Sequence, residues 1–266
     1  MGRQIESKAI VLFAKDYREK DKLVKLFTET HGKRMFFVRR AHQKNNPLTA
    51  AIQPFTEAEF IMDLKDEGLS FLNGVKEVTP YRTIQSDIFI SAYATYILNL
   101  VDAAVDDNQN DAALYGFAKQ SLDLLNNGYD PEVISFIFEI QLLQRFGIQI
   151  NWNCCAVCGE TQGPFDYSDS YHGLLCEKDW SRDERRSHFD SRSVYFMQLF
   201  SSIRYSQINN INLSDEIKQK IRQNIDTLYE DYVGIHLKSK RFIDQMKNWE
   251  NTMKLPEKNK RLTNHR

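Results

Sequence analysis

The chain has 266 residues, 42% of them hydrophobic, with 35 Lys/Arg against 36 Asp/Glu. That apolar fraction sustains a packed core and excludes a disordered chain, and the length allows two or three compact modules. No run approaches the ~18 apolar residues of a membrane span, and the charged start MGRQIESKAIVLF is not expected to act as a secretory signal, so a cytoplasmic protein is expected.

The near-neutral balance hides an asymmetry. Residues 1–50 hold 12 Lys/Arg and 5 Asp/Glu, residues 51–150 hold 5 and 15, and the remainder 18 and 16. A basic head on an acidic body suits a polyanion partner at one end of the molecule; a solvated basic face without a partner fits the charge equally well.

Five short segments rich in Val, Ile, Phe and Leu come first: 8–14, 22–29, 33–41, 57–64 and 69–78, separated by polar or glycine-containing turns. Five strands in about eighty residues predict a small closed barrel of the OB type, with an SH3-like barrel or sandwich fragment as the alternative. Within GKRMFFVRRAHQKN (32–45), alternation places Arg34, Phe36 and Val38 on one face and Lys33, Met35, Phe37 and Arg39 on the other. Phe36 and Phe37 are both expected in the core.

The period then changes to helical. Residues 86–105 place Ile90, Tyr93, Ile97, Leu100 and Val101 on one stripe, with Ser86 as the expected N-cap. A second helix is predicted over 111–125, and a third from Asp130–Pro131, where Asp caps and Pro takes the first helical position. Asp190 leads a fourth. From Ser214 one long amphipathic helix is predicted to about Met246, striped by Ile217, Ile221, Ile225, Leu228, Tyr232 and Ile235.

Between the third and fourth helices lies NWNCCAVCG (151–159). All four cysteines, Cys154, Cys155, Cys158 and Cys176, fall in this one window, which in an intracellular protein points to metal rather than disulfides. Seventeen residues separate Cys158 from Cys176, within the C-x2-C-x15–20-C range of zinc ribbons. A redox dithiol would sit at a helix N-terminus, whereas here a loop follows Gly159. No phosphate-binding GxxxxGK[ST] loop, GxSxG or HExxH is present, and the six histidines are scattered. Neither nucleotide hydrolysis nor any other enzymatic activity is expected.

The ordered series DYREKDKLVKLFTETHGKRMFFVRRAH, QPF (53–55), FEIQLLQRFGI (138–148), CAVCG (155–159) and HLKSKRFI (236–243) resembles the RecO family of bacterial recombination mediators over nearly the whole chain. The resemblance implies an α+β protein with four parts. These are an N-terminal OB-fold β-barrel (1–80), a helical domain (81–150 and 187–250), a small zinc-knuckle-like insertion carrying the cysteines (151–186), and a flexible basic tail (251–266). It also implies binding of ssDNA and dsDNA, ATP-independent annealing, and partnership with RecR, the SSB C-terminal tail and, indirectly, RecA at the nucleoid.

On that resemblance the DNA contacts fall on Lys15, Arg18, Lys22, Lys33, Arg34, Arg39, Arg40, His42 and Lys44. A secondary patch is Lys238, Lys240 and Arg241, cations that would also complement a helix C-terminus. The SSB tail needs a local basic and apolar notch, for which Arg145 beside Phe146 or the basic C-terminal helix are candidates. The family carries Cys or His at the fourth metal position, and this chain has Asp179, so the expected set is Cys155, Cys158, Cys176 and Asp179. His172 and Cys154 are further candidates, and an empty knuckle is the alternative to structural zinc. Two other function classes fit the same residues: an RNA-binding OB module and a thiol-dependent oxidoreductase.

Overall fold

The computed structural model describes residues 2–43, 45–65, 68–208 and 211–254, with side chains as far as Trp249. Five strands close a barrel: β1 (Arg3–Tyr17), β2 (Asp21–Thr28), β3 (Gly32–Val38), β4 (Thr56–Leu64) and β5 (Ser70–Pro80). Their order is β1-β2-β3-β5-β4, and β1 pairs with both β2 and β4. All pairings are antiparallel except the short β3·β5 junction. That is the OB-fold arrangement the five-strand reading anticipates.

Alternation along β1 and β2 feeds two cores. Ala9, Val11, Val24 and Leu26 point into the barrel with Phe36, Val38, Phe60 and Met62. Ile10 and Phe27, directly paired, point the other way and join the helical core. Strands buried on both faces read as unbroken apolar runs, which is why AIVLF shows no polar alternation.

A four-residue helix, α1 (Leu48–Ala51), bridges β3 and β4. Beyond the barrel come α2 (Arg82–Ser86), α3 (Ile88–Ala104), α4 (Ala112–Asn126) and α5 (Pro131–Leu142). The cap of α3 is Asp87, not Ser86: its carboxylate accepts from the N–H groups of Phe89 and Ile90, while Ser86 ends α2. Asp111 and Asp130 cap α4 and α5 in the same way.

After the cysteine window, α6 (Ser191–Ser202) starts at Asp190 and α7 (Asp215–Leu228) at Ser214. The predicted single long helix is broken. A π-turn at Tyr229–Val233 ends at Gly234, whose φ of +67° is the left-handed stop that glycine adopts freely, and α8 (Lys238–Lys254) starts anew. The predicted tail, 251–266, falls outside the described residues from 255 onward.

The helical core is cross-tied by a buried charge. Glu139, fully enclosed, takes a two-pronged grip from Arg222 (Nη1–Oε2 2.7 Å, Nη2–Oε1 2.8 Å) and a hydrogen bond from the Tyr96 hydroxyl.

Candidate nucleic-acid interface and metal centre

In OB barrels the face of strands 2–3 and the loops joining strands 1–2 and 4–5 hold oligonucleotides. Here the register puts a continuous row on that outer face: Lys15 opposite Leu23, Leu23 opposite Phe37, Phe37 beside Phe71, Phe71 opposite Asp63. Residues two further along each strand share the face, adding Tyr17, Arg39 and Lys65. Phe37 packs edge-on against both Tyr17 and Phe71, with ring centroids 5.8 Å apart in each pair. Cations cover the rings: Arg18 Cζ lies 5.2 Å from the Tyr17 centroid, and Arg39 Cζ and Lys65 Nζ lie 5.1 and 4.6 Å from that of Phe71. Interleaved rings and cations are the combination that stacks bases and tracks phosphates of a single strand.

The predicted cations divide. Lys15, Arg18, Arg39 and Arg40 are exposed and form no ion pair among the described residues. Arg18 and Arg40 hold φ of +58° and +52°, tight turns that present both side chains at the barrel rim. Arg34 is half-buried, its Nε–H donating to the His31 carbonyl. Lys22 and His42 both pair with Asp16 (2.7 and 2.9 Å). Lys44 lies outside the described residues.

Lys33 is a correction. It is 4% exposed, and its ammonium lies 2.9 Å from Asp102 and 3.4 Å from Asp107. Lys25 joins the same two carboxylates at 2.8 and 3.2 Å. The segment between α3 and α4 covers this end of β3, and Asn108 N–H bonds the Lys33 carbonyl. Gly32 is needed beside it, since a Cβ there would meet the Gln109 carbonyl oxygen at 2.2 Å. Lys33 therefore clasps barrel to helices. Phe37 is a second correction: only Phe36 is core, while Phe37 lies on the outer face. Sequence reading missed Tyr17, Lys65 and Phe71, because a parallel β3·β5 contact between distant segments brings the rings together.

On α8, Lys238 and Arg241 are exposed, but Lys240 is held by Asp226 (3.1 Å) and Asp244 (2.7 Å), which removes it from the secondary patch. Arg145 is likewise neutralised by Asp111, and Phe146 packs on Tyr229, so that pair forms no basic notch.

The cysteine window folds into a three-stranded sheet, β6 (Asn151–Cys155), β7 (Phe165–Ser168) and β8 (Gly173–Cys176), ordered β6-β8-β7. Phe165, Tyr167, Leu174 and Leu175 merge with the helical core, and Tyr167 meets Tyr232 of the π-turn through a 3.0 Å hydroxyl contact. A turn after β6 and the segment after β8 bring Cys155, Cys158, Cys176 and Asp179 together, one ligand atom from each lying within 4.8 Å of all the others. Cys158 and Cys176 sulfurs are 3.6 Å apart; Asp179 Oδ2 is 3.3 Å from Cys155 Sγ and 3.4 Å from Cys176 Sγ. A tetrahedral zinc with bonds of ~2.3 Å to sulfur and ~2.0 Å to oxygen requires separations of about 3.8 and 3.5 Å, so the donor set fits such an ion. Without metal, the adjoining Asp179 carboxylate pushes the Cys158 thiol up to about 12, while at Cys155 burial pushes upward but backbone N–H groups of Cys158, Cys176 and Val157 outweigh it and hold the thiol below its ordinary value. Cys154 is outside this cluster, its sulfur beside the Asn151 amide. His172, in a turn at φ +46°, is also outside it.

A closed OB barrel with an aromatic and cationic outer face, joined to a helical domain that carries a metal-type cysteine cluster, defines an OB-fold protein of the nucleic-acid-binding class. Residues 1–81 match the family model for the N terminal of recombination protein O, and residues 85–241 the model for its C terminal. The chain is 59% identical over 255 residues to the DNA repair protein RecO of Enterococcus faecalis (96% of this chain, 97% of that protein). It is 48% identical over 252 residues to that of Lactococcus lactis subsp. cremoris strain MG1363 (95% and 100%). To that of Streptococcus suis strain 05ZYH33 it is 48% identical over 251 residues (94% and 96%). The chain belongs to the RecO family of DNA repair and recombination proteins. Among the described residues no helix is long and apolar enough to cross a membrane.

Proposed function

We infer that the chain binds ssDNA and dsDNA through the barrel rim, anneals complementary strands without ATP, and with RecR helps load RecA onto SSB-coated ssDNA at the nucleoid. The observation that carries this reading is the ring-and-cation face of β3 and β5, with Arg18 and Lys65 supplied by the flanking loops. Annealing needs no covalent chemistry: a cationic surface screens two polyanions, and rings hold unstacked bases until they pair. No catalytic group is assigned, and the protein acts as a binding mediator rather than an enzyme.

For the SSB tail, a cavity of about 590 Å³ between α4 and α6 supports docking. Phe117 and Tyr205 stack in its wall, and the exposed Arg204 at its rim suits a carboxylate. Cys155, Cys158, Cys176 and Asp179 would hold a structural zinc. Four protein ligands leave no open position, so the ion's contribution is to fix the turns that carry them.

The test is annealing of complementary oligonucleotides coated with the cognate SSB, with and without RecR and with no ATP. Annealing above the SSB-only control supports the mediator reading. A folded protein that binds bare DNA but never accelerates annealing overturns it.

A further inference from the structure

Beside the ring-and-cation face lies a cavity of about 510 Å³, lined among others by Arg39, Asp63, Lys65, Phe71 and Asn73. A carboxylate is out of place there. Phosphates repel it, and among the described residues Asp63 makes no hydrogen bond or ion pair that would neutralise it, although Lys65 and Arg39 line the same cavity. Asp63 stands directly across from Phe71, and on the other side of β4 an added Cβ on Gly2 would lie 2.0 Å from its Oδ1. Directly opposed residues on one sheet face have Cβ atoms about 5 Å apart, close enough for one planar ligand to touch both.

A ring whose covering cations, Arg39 and Lys65, a base would displace, a carboxylate across from it and those same cations as donors suit an unpaired nucleobase. Guanine presents two adjacent donors, N1–H and N2–H, next to the O6 acceptor on its pairing edge. A carboxylate takes both donors while an ammonium or guanidinium reaches O6. Thymine flanks its single N3–H with two carbonyl oxygens, which a carboxylate repels. We propose that Asp63, Phe71 and Lys65 form a nucleobase subsite that prefers guanine over thymine in single-stranded DNA. The proposal rests on the DNA-binding reading of this face, and it adds a base preference to contacts otherwise blind to sequence.

The experiment uses the full chain and fluorescence anisotropy on dT oligonucleotides carrying none or three isolated guanines, with inosine, which lacks the N2 amine, as the intermediate probe. The guanine oligonucleotide should bind at least about fivefold more tightly than plain dT, the low end of discrimination by a paired hydrogen bond, with inosine in between. Asp63→Asn should erase the difference and leave dT affinity within about twofold; Phe71→Leu should weaken both. Equal, tight binding to all three oligonucleotides overturns the subsite and leaves the DNA-binding face standing. Absence of binding to any of them at low salt overturns the DNA-binding reading, and the subsite with it. The inosine series needs no protein variant, so it decides the matter even if Asp63→Asn fails to fold.

Discussion

Charge reversal of Arg39 and Arg40 should change the salt dependence of DNA binding by an amount the structure sets. Six cations on this part of the barrel have no ion-pair partner among the described residues: Lys15, Arg18, Lys20, Arg39, Arg40 and Lys65. If each neutralises one phosphate of a single strand, log affinity falls with log salt at a slope of about −4, or roughly 300-fold between ~50 and ~200 mM. With R39E/R40E four contacts remain, the slope flattens to about −3, and the loss over the same range shrinks to roughly 50-fold. Lys33→Met is the matched control. Its ammonium is already committed to Asp102 and Asp107, so it should lower the thermal midpoint and leave the slope at the wild-type value. Anisotropy titrations of a labelled dT oligonucleotide at four or five salt concentrations read both slopes. A wild-type slope in R39E/R40E, or an equal flattening in K33M, would refute the division of these cations into free and clasped.

Glu139→Ala leaves Arg222 with Asp226 as its remaining carboxylate, 2.8 Å away, so the loss should fall near the low end of the about 3–5 kcal/mol that breaking a buried pair costs, measurable by urea denaturation; replacing both Glu139 and Arg222 with apolar residues should recover most of that loss. Burial alone would raise the Asp102 carboxyl, but hydrogen bonds from Lys25 and Lys33 outweigh it and hold the group below its ordinary 3.8. A depressed carboxyl stabilises the fold above its unfolded value and loses that contribution as pH falls through the folded one, so the clasp should weaken in acid below about pH 4. Asp102→Asn should remove that part of the acid transition while lowering stability at neutral pH. Chelation should speed amide exchange within 151–186 and leave α3 protected, with one zinc per chain released. Asp179→Cys should slow the stripping and Asp179→Ala should hasten it; identical release from both variants would remove Asp179 from the ligand set.

Much of this fold is local and therefore readable. Strand alternation, the Asp130–Pro131 helix start and the Asp190 and Ser214 caps are each decided within a few residues. The three cysteines of the cluster follow from spacing alone, and the family's pattern points to position 179 for the fourth member. Less readable is what covers what. Lys33 and Arg39 lie on the same face of one segment, yet a connection some seventy residues away buries the first and leaves the second free. Tyr17, Phe37 and Phe71 meet only through pairings between distant strands, so nothing near Phe71 announces its role. The break at Gly234 was visible as a glycine within the stripe, but the period continues across it in Tyr232 and Ile235, and periodicity alone joins the two helices.

The closure of the barrel narrows how anything can attach to this end of the molecule. β1 is long enough to zip to neighbours on both sides, whereas the seam that closes the circle, β3 against β5, joins only Phe36 to Ser70 and Phe37 to Phe71, so the borders of these two strands run on beyond it. Backbone pairing is thus barred to a peptide partner except along the stretches of β3 and β5 beside that seam, and elsewhere it must grip side chains or loops. A flexible polymer such as single-stranded DNA faces no such bar, since it can run across the strands and meet their rings and charges one after another. The same geometry that confines stray strand pairing to one seam leaves the rim open to a passing thread.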